Sequence, residues 1–548
     1  MHALRRLLRI IRCAGATAVF ALLLGSCGSA HRAPLKLPSV KGPGPESLFE
    51  ENVLLQSNPA ETLDTLQKLG VDRIEVYVSW ASIAPDSTSS IRPAGFDAAD
   101  PSAYPATNWA IYDTIVRDAV ARGIGLDLLL SSPAPTWATA PGEPAKGPVG
   151  LWKPSASEFG EFVRAIGIRY SGTYIPPGGS TPFPRVDFWS IWNEPNIGAL
   201  GLAPQAIDHS TVEVSPVFYR QLLDAAWSGL QTTGHGRDTI LIGNLAPAGE
   251  TFPPFPGNFA AMVPLRFLRA LYCVDSSYRP LTGEAAAERS CPTTAAGTAG
   301  FPGQHPALFH ATGFSIHPYP QGLPPDAAPP NEPDYAVLAD IPHLERALDT
   351  IQQVYGSSTR FPLWSTEFGY QTKPPDTEPL TTTPALAAYY IDWAEYITWL
   401  NPRIKSYDQY LLRDPPTGVF ASGLEFPNGQ PKPGFYAYRM PIYLPVTSAA
   451  SGQALEVWGC VRPVSYARLV TRAQQRVRIE FQSGSHRPFE TIRTVALTNP
   501  HGYFDVAQQF PGSGTVRLAW AYPNNGETIY SRLVNITFTN FTKSPLKN

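Results

Sequence analysis

The segment FWSIWNEPN, residues 188–196, begins as a nearly unbroken apolar run and ends in a polar cluster that contains a proline. The apolar run predicts a buried β-strand, and this places Asn193 and Glu194 at the carboxyl end of the strand. In folds built on a parallel sheet, side chains at the carboxyl ends of the strands meet to form a site. The segment therefore predicts an amide and a carboxyl group that face a common cavity.

A second segment, FPLWSTEFGY at residues 361–370, has the same design. It is a short apolar run that ends on a glutamate, Glu367. Because the carboxyl ends of parallel strands lie at one edge of a sheet, we expect Glu194 and Glu367 to work as a pair.

The composition is that of a folded protein with a large core. The chain has 548 residues, of which 43% are hydrophobic and 16% are charged. The net charge is −3 and the sequence has no long basic run, which argues against nucleic acid as a partner. The 58 prolines and 44 glycines predict long, stiff loops between the regular elements.

Residues 1–27 are typical of an export signal, since arginines precede an apolar run that small residues follow. The apolar run is short for a membrane span. The sequence LGSC at residues 24–27 resembles a bacterial lipoprotein box, which would place a lipid anchor on Cys27; ordinary secretion is the alternative. Residues 28–45 then form a linker, and we expect the protein to be secreted or held at the cell surface.

Two of the five cysteines are expected to form a disulfide. Cys273 and Cys291 flank a single loop, and an exported protein folds under oxidising conditions. Cys460 is then left as a buried free thiol. The cysteine and histidine spacings are not those of a zinc site.

Helix and strand patterns alternate from residue 46 to residue 440. Residues 155–170, for example, have helical spacing and begin with Ser155 followed by Glu158, a capping pair. We count seven strand–helix units after a first strand, which is expected within residues 48–54. This alternation predicts an α/β fold, a (β/α)8 TIM barrel, in which Glu194 ends strand four and Glu367 ends strand seven.

The sequence pattern changes in residues 441–548. Short segments there alternate apolar and polar residues, and turns rich in proline, glycine and asparagine separate them. No helical pattern intervenes. The region predicts a small all-β sandwich domain, and we expect it to brace the barrel.

Two glutamates at one rim of a barrel suit the hydrolysis of a glycosidic bond by double displacement. One carboxyl donates a proton to the leaving oxygen, and the other attacks the anomeric carbon. Since burial disfavours the charged form, Glu194, beside Trp192 and Pro195, is expected to keep its proton and to serve as the acid. Glu367 is expected to be the ionised nucleophile, with Tyr319 as its hydrogen-bond donor.

The sequence WNEP at residues 192–195 resembles the acid/base motif of clan A glycoside hydrolases, a set of barrel enzymes that includes families 5 and 39. The sequence TEFG at residues 366–369 resembles the nucleophile motif of the same clan. By this resemblance, Asn193 corresponds to the asparagine that binds the sugar 2-hydroxyl, and His317 and Tyr319 correspond to the strand-six His-x-Tyr. The resemblance covers residues 46–440.

Two positions depart from the pattern. Family 5 usually carries an arginine on strand two where this chain has Glu75. Arg73 lies two residues earlier on the same face of the strand, and whether it substitutes for that arginine stays open. The eighth strand, residues 406–411, lacks the tryptophan that often floors the sugar subsite. Trp80, Trp137 and Trp152 are candidate platforms for sugar rings, and burial in the core is the alternative for each.

The sequence therefore predicts an exported retaining glycosidase that cleaves a β-linked glycan. The expected partner is an oligo- or polysaccharide substrate, the expected state is a monomer, and neither a cofactor nor a metal is expected. Two alternatives stay open: a non-catalytic glycan-binding or cell-envelope protein on a degenerate barrel, and a transglycosylase that uses the same pair of glutamates.

Overall fold

The computed structural model describes residues 35–144, 147–206, 210–250, 258–523 and 526–539. The predicted export segment, with Cys27, lies outside the described residues. The chain divides into Met1–Lys36 and Leu37–Asn548, and the description below concerns the second unit. Within the described ranges, no helix is both long enough and apolar enough to cross a lipid bilayer.

Eight parallel strands form a barrel, as the sequence predicts. They are paired in the order β7-β6-β5-β4-β3-β2-β1-β8, and a bridge between Leu363 and Ile404 connects β7 to β8 and closes the cylinder. The strands are β1 (Glu46–Glu50), β2 (Arg73–Ser79), β3 (Gly125–Ser131), β4 (Phe188–Ile191), β5 (Thr239–Leu245), β6 (Gly313–Ile316), β7 (Leu363–Ser365) and β8 (Ser406–Tyr410).

Helices surround the barrel, and their apolar faces pack on the outer faces of the strands. They are α1 (Asn52–Ser57), α2 (Pro59–Leu69), α3 (Trp80–Ile83), α4 (Ala106–Ala121), α5 (Ala156–Arg169), α6 (Ser215–Thr232), α7 (Pro264–Leu271), α8 (Gly283–Ala287), α9 (Ala295–Gln304), α10 (Ala307–His310), α11 (Ile341–Val354), α12 (Pro384–Leu400) and α13 (Pro433–Arg439). Ser155 caps α5 as predicted, because its side chain accepts a hydrogen bond from the backbone N–H of Glu158.

Two strands near the site differ from their predicted limits. Strand β1 begins at Glu46 and ends at Glu50, and the chain then turns into α1 because the Glu51 side chain caps that helix. Strand β4 stops at Ile191, since Trp192 has a φ of 64° and leaves the extended conformation.

The region after residue 440 is rich in β-structure. One sheet contains β10 (Ser448–Ala450), β12 (Arg476–Gln482), β13 (Glu490–Ala496), β15 (Gly514–Ala521), β16 (Thr528–Tyr530) and β17 (Val534–Thr539), and a second contains β9 (Ile442–Tyr443), β11 (Ala454–Cys460) and β14 (Tyr503–Gln509). Apolar side chains from both sheets share one core. The expectation that no helix intervenes is wrong, because Val464–Thr471 forms α14 and buries Val464 and Ala467 against that core.

Buried polar and aromatic contacts join this region to helix α12 of the barrel. Arg462 forms an ion pair with Glu395 at 2.5 Å, and Tyr503 donates a hydrogen bond to the same carboxylate at 2.8 Å. Tyr396 and Trp399 of α12 pack with Trp458 and Tyr443 in a shared aromatic cluster. A bracing role for the region agrees with these contacts and stays a prediction.

The predicted disulfide between Cys273 and Cys291 is confirmed. Cys460 is a buried free thiol, as expected. The disulfide closes the loop that contains α8, between α7 and α9.

Candidate active site

Glu194 and Glu367 lie at the carboxyl end of the barrel and face one cavity of about 670 Å³. Glu194 follows β4 and Glu367 follows β7, so the strands that carry them are separated by β5 and β6. The closed barrel brings the two side chains together across its mouth, and both are buried apart from the surface that faces the cavity.

His317, at the end of β6, connects the two carboxyl groups. Its Nδ1 lies 3.1 Å from Glu194 Oε1 and 3.4 Å from Glu367 Oε1. One atom from each of the three side chains lies within 4.8 Å of the other two. Burial by itself lowers the pKa of His317. The carboxylates of Glu367 and Glu194 raise this pKa by more than burial lowers it, so the net shift is upward. The sequence therefore identified a residue that lies between the two glutamates.

The turn that carries Glu194 is held by backbone contacts. Glu194 has a φ of 40°, and its N–H donates to the carbonyl of Asn244 at 3.0 Å. The Asn244 side chain donates in turn to the carbonyl of Trp192 at 2.8 Å. Gly201 packs against this turn so closely that a Cβ there would lie 2.5 Å from the Asn193 carbonyl oxygen and closer still to that of Glu194. The direction of the Glu194 side chain is thus set by tertiary contacts.

Glu367 is held by the predicted tyrosine. The Tyr319 hydroxyl donates to Glu367 Oε2 at 3.0 Å. Burial raises the pKa of Glu367 well above its usual range; His317 and the Tyr319 hydrogen bond oppose the shift, whereas Glu50 and Glu194 add to it.

Burial does not support the expectation that Glu194, rather than Glu367, keeps its proton. Glu194 is 9% exposed and Glu367 is 8% exposed, so burial does not separate them. The apolar neighbours of Glu194 in sequence do not shield it more, because Trp192 turns away into the core and donates its indole N–H to Gly201. The two carboxyl groups differ in their hydrogen-bond donors, because Tyr319 donates to Glu367 and not to Glu194.

Asn193 also lines the cavity. Its backbone N–H donates to Ser131 Oγ at 2.8 Å, which fixes the main chain. Its side-chain oxygen is buried and has no hydrogen-bond partner among the described residues. The amide is therefore placed to bind a ligand beside the two carboxyl groups.

The tryptophan candidates are not part of the cavity wall. Trp80 is fully buried and packs between Trp137 and Phe162, with ring centroids 6.3 and 5.9 Å away, so it cannot stack on a ligand. Trp137 donates its indole N–H to the Pro85 carbonyl, and Trp152 packs against Phe259. These side chains support the loops above the barrel, because their faces are covered by neighbouring rings.

Other aromatic side chains line the cavity. Tyr410, the last residue of β8, and Phe420 line the cavity next to Tyr319. The Phe420 ring lies 5.3 Å from that of Tyr319 and 5.5 Å from that of Tyr410. Phe420 belongs to an irregular loop without a periodic pattern, so sequence reasoning had no signal for it.

Glu50 is the acidic residue that sequence reasoning missed. It is the last residue of β1, lines the cavity and accepts a hydrogen bond from Asn52 at 2.5 Å. Burial raises the pKa of Glu50 to about 8. The polar residues after Phe49 indicate the end of a strand. Because the first strand was expected within residues 48–54, Glu50 was not recognised as its last residue.

Arg73 does not substitute for an arginine at the position of Glu75. Its guanidinium forms an ion pair with Glu46 at 2.6 Å and lies over the ring of Phe188. These contacts are at the start of β2, whereas Glu367 is at the carboxyl end of the barrel.

Comparisons with known proteins return similar folds at low identity. No protein-family model matches the chain, and no curated protein matches it. A family 39 glycoside hydrolase from Bacteroides cellulosilyticus WH2 is 14% identical, with 85% of this chain and 80% of that chain covered and a TM-score of 0.43. The endo-β-1,4-mannanase from Thermotoga petrophila is 10% identical, with 91% and 98% covered and a TM-score of 0.37. A family 1 β-glucosidase from Thermotoga maritima is 16% identical, with 70% and 85% covered and a TM-score of 0.41. At these values the case for a function rests on the geometry of the site.

Proposed function

We propose that the protein is a retaining glycosidase in which Glu194 is the acid/base and Glu367 is the nucleophile. The observation that carries this proposal is the shared contact of both carboxyl groups with His317, whose ring nitrogen and one oxygen of each carboxyl lie within 4.8 Å of one another. Retaining enzymes hold their carboxyl groups about 5–5.5 Å apart, and inverting enzymes leave about 6.5–9.5 Å for a water molecule. The distance supports direct attack by a carboxylate.

The contacts of each glutamate support its proposed role. The Tyr319 hydrogen bond and His317 oppose the upward shift that burial gives the pKa of Glu367, so both favour the ionised form that a nucleophile requires. His317, whose raised pKa favours its protonated form, supplies positive charge between the carboxyl groups. Glu194 carries the proton that goes to the leaving oxygen and then accepts one from the attacking water.

The cavity supports a sugar-sized substrate. Asn193 lies next to the acid and offers an amide to a hydroxyl of the bound ring. Tyr410 and Phe420 provide apolar surface on the other side, where aromatic rings can stack on the face of a sugar. No arginine or lysine is among the described residues that line the cavity, so a neutral or cationic glycan fits it better than an acidic one.

The test is mechanistic trapping. A 2-deoxy-2-fluoro glycoside of the sugar found by screening aryl β-glycosides forms a slowly hydrolysed covalent intermediate, and peptide mass spectrometry should find the label on Glu367. Glu367→Gln should abolish labelling, and Glu61→Gln, an exposed carboxyl on α2, should leave it unchanged. A label on another residue, or a product with inverted anomeric configuration by NMR, would contradict the proposal.

Separate substitutions assign the two roles. Glu194→Ala should lose several orders of magnitude in kcat on substrates with poor leaving groups, because these need the proton. Azide should restore turnover of substrates with good leaving groups, where the second step is limiting. Glu367→Ala should be inactive on every leaving group. If both variants retain wild-type rates, this pair of glutamates is not the catalytic machinery. Saturable polysaccharide binding by the wild type without release of reducing ends would favour a non-catalytic glycan-binding protein, and transfer to added sugar acceptors would identify a transglycosylase.

Export, a lipid on Cys27 and a monomeric state are also proposed, from the sequence alone. Metabolic labelling with a fatty acid, compared between the wild type and Cys27→Ser, tests the anchor. Cell fractionation tests export, and light scattering tests the oligomeric state.

A further inference from the structure

The loop that carries Glu194 also gives the cavity an aliphatic surface. Ile197 and Leu200 both line the cavity, and the Ile197 N–H donates to the Glu194 carbonyl at 2.8 Å. The turn that places the acid therefore also places these two side chains. Leu200 is 62% exposed and extends the apolar surface to the rim of the cavity.

The loop after β5 continues this surface. Strand β5 is paired with β4, so its loop lies next to the acid. Apart from Glu194 and the amide beside it, the described residues that the two loops give to the cavity are all aliphatic, and none has an aromatic ring on which a sugar could stack. One aliphatic wall is thus formed by five residues: Ile197, Leu200, Ala246, Pro247 and Ala248.

Backbone polar groups of the aliphatic wall are occupied by the protein itself. The Asn196 side chain pairs with both the N–H and the carbonyl of Ala246, at 2.9 and 3.1 Å. The Ala336 N–H donates to the Pro247 carbonyl at 2.8 Å, and the Ile197 carbonyl accepts two backbone N–H groups at 2.8 and 3.1 Å. The hydroxyl groups of a second sugar would find few partners here, and a buried hydroxyl group without a hydrogen bond is costly.

The polar part of the cavity lies across the barrel from the aliphatic wall. Glu50 and Asn52 line the cavity at the end of β1, and β1 and β5 are on opposite sides of the eight-stranded cylinder. Sugar hydroxyl groups suit the polar side, and an apolar group gains free energy by leaving water for the aliphatic side.

We propose that the aliphatic wall binds the leaving group, so that the substrate is a β-glycoside of an aliphatic alcohol. The inference rests on the proposed function, because an acid at Glu194 must contact the leaving oxygen and thereby places the leaving group against its own loop. The bond between the anomeric carbon and that oxygen breaks, Glu194 gives the oxygen its proton, and Glu367 forms the glycosyl ester that water then hydrolyses. The products are the free sugar and the alcohol. A second sugar on this side, as in a polysaccharide, is the alternative that the experiment decides.

The experiment compares the hexyl β-glycoside, the methyl β-glycoside and the β-linked disaccharide of the sugar that the aryl glycoside screen identifies. Burial of one methylene group is worth about fourfold in kcat/KM, so the hexyl glycoside should exceed the methyl glycoside by about tenfold or more, and it should also exceed the disaccharide.

A substitution at the rim tests the wall itself. Leu200→Asn should lower the ratio of kcat/KM for the hexyl over the methyl glycoside by about threefold or more, because it replaces an apolar side chain with a polar one. The ratio isolates this effect, since both substrates need the same proton from Glu194. Leu469→Asn is the matched control, because Leu469 is a 73% exposed leucine on α14 and does not line the cavity, so the ratio should stay as in the wild type.

Three results would overturn the aliphatic leaving group and leave the glycosidase proposal intact. They are faster hydrolysis of the disaccharide than of the hexyl glycoside, equal kcat/KM for the hexyl and methyl glycosides, and an unchanged ratio in Leu200→Asn.

Calorimetric titration separates this inference from the catalytic proposal. Hexyl and methyl 1-thio-β-glycosides resist cleavage, so their binding is measured without turnover; thioglucosides serve if no sugar is identified. The hexyl compound should bind about tenfold more tightly or better. If this preference is found in a protein that hydrolyses no glycoside, the proposed function fails and the aliphatic wall stands, whereas equal affinities overturn the wall.

Discussion

Gly201→Ala tests whether the main chain around Glu194 positions the acid. The added Cβ would lie 2.5 Å from the Asn193 carbonyl oxygen and closer still to that of Glu194, whereas real Cβ atoms essentially never approach within 3.0 Å. The turn must therefore move by about half an ångström or more. Since a shift of 1 Å in a catalytic group costs about a hundredfold, we expect kcat/KM to fall roughly 10- to 100-fold.

The assay compares aryl glycosides with good and poor leaving groups. A displaced acid matters most when the leaving group needs a proton, so the loss should be largest for poor leaving groups and small for dinitrophenyl substrates. Gly303→Ala on α9 is the matched control, because a Cβ there meets nothing within 4 Å. Equal losses for all leaving groups, or wild-type kcat/KM with the poor ones, would show that Gly201 does not position the acid.

Three further substitutions address the nucleophile, the disulfide and the contact between barrel and sheets. Tyr319→Phe removes a hydrogen bond that lowers the pKa of Glu367. Because the nucleophile acts when ionised, the acidic limb of the kcat/KM–pH profile should move to higher pH, and kcat/KM should fall about 10- to 100-fold. An acidic limb that does not move would refute this role of Tyr319. Cys291→Ser opens a disulfide with a sequence separation of 18 and should lower the free energy of unfolding by about 3 kcal/mol in denaturant titrations, without a change in kcat. Arg462→Met leaves Glu395 buried without its cation and should cost about 3–5 kcal/mol, part of which the double variant with Glu395→Gln should recover; a neutral single variant contradicts the role of this pair.

The barrel was predictable because its strands and helices leave local patterns. The helix expected at residues 155–170, for example, spans Ala156–Arg169 and begins at the predicted cap Ser155. The predicted limits of an element were wrong where a tertiary contact changes the backbone. At the end of β4, for example, Trp192 adopts a positive φ and the strand stops. Helix α14 was missed because it is a single short helix among strands.

In the candidate site, residues that end a recognisable strand were found, and residues on loops were not. His317 and Tyr319 follow β6, and Tyr319 donates to Glu367 as expected, whereas the contact of His317 with the glutamates was not predicted. Phe420 lies on an irregular loop, and the exposure of Trp80 depends on rings from two other segments, so neither outcome could be read from local sequence.

The order of strands and helices, the two strands that end on glutamates and the pair of cysteines in the disulfide could all be predicted from the amino-acid sequence. These follow from hydrophobic periodicity and spacing, which are properties of neighbouring residues. The tertiary structure alone decided that His317 contacts both glutamates, that the two are equally buried, and that Glu50 and Glu75 lie beside Glu367. Distances between side chains on different strands depend on strand register and on closure of the barrel, and both arise only when the whole sheet has formed.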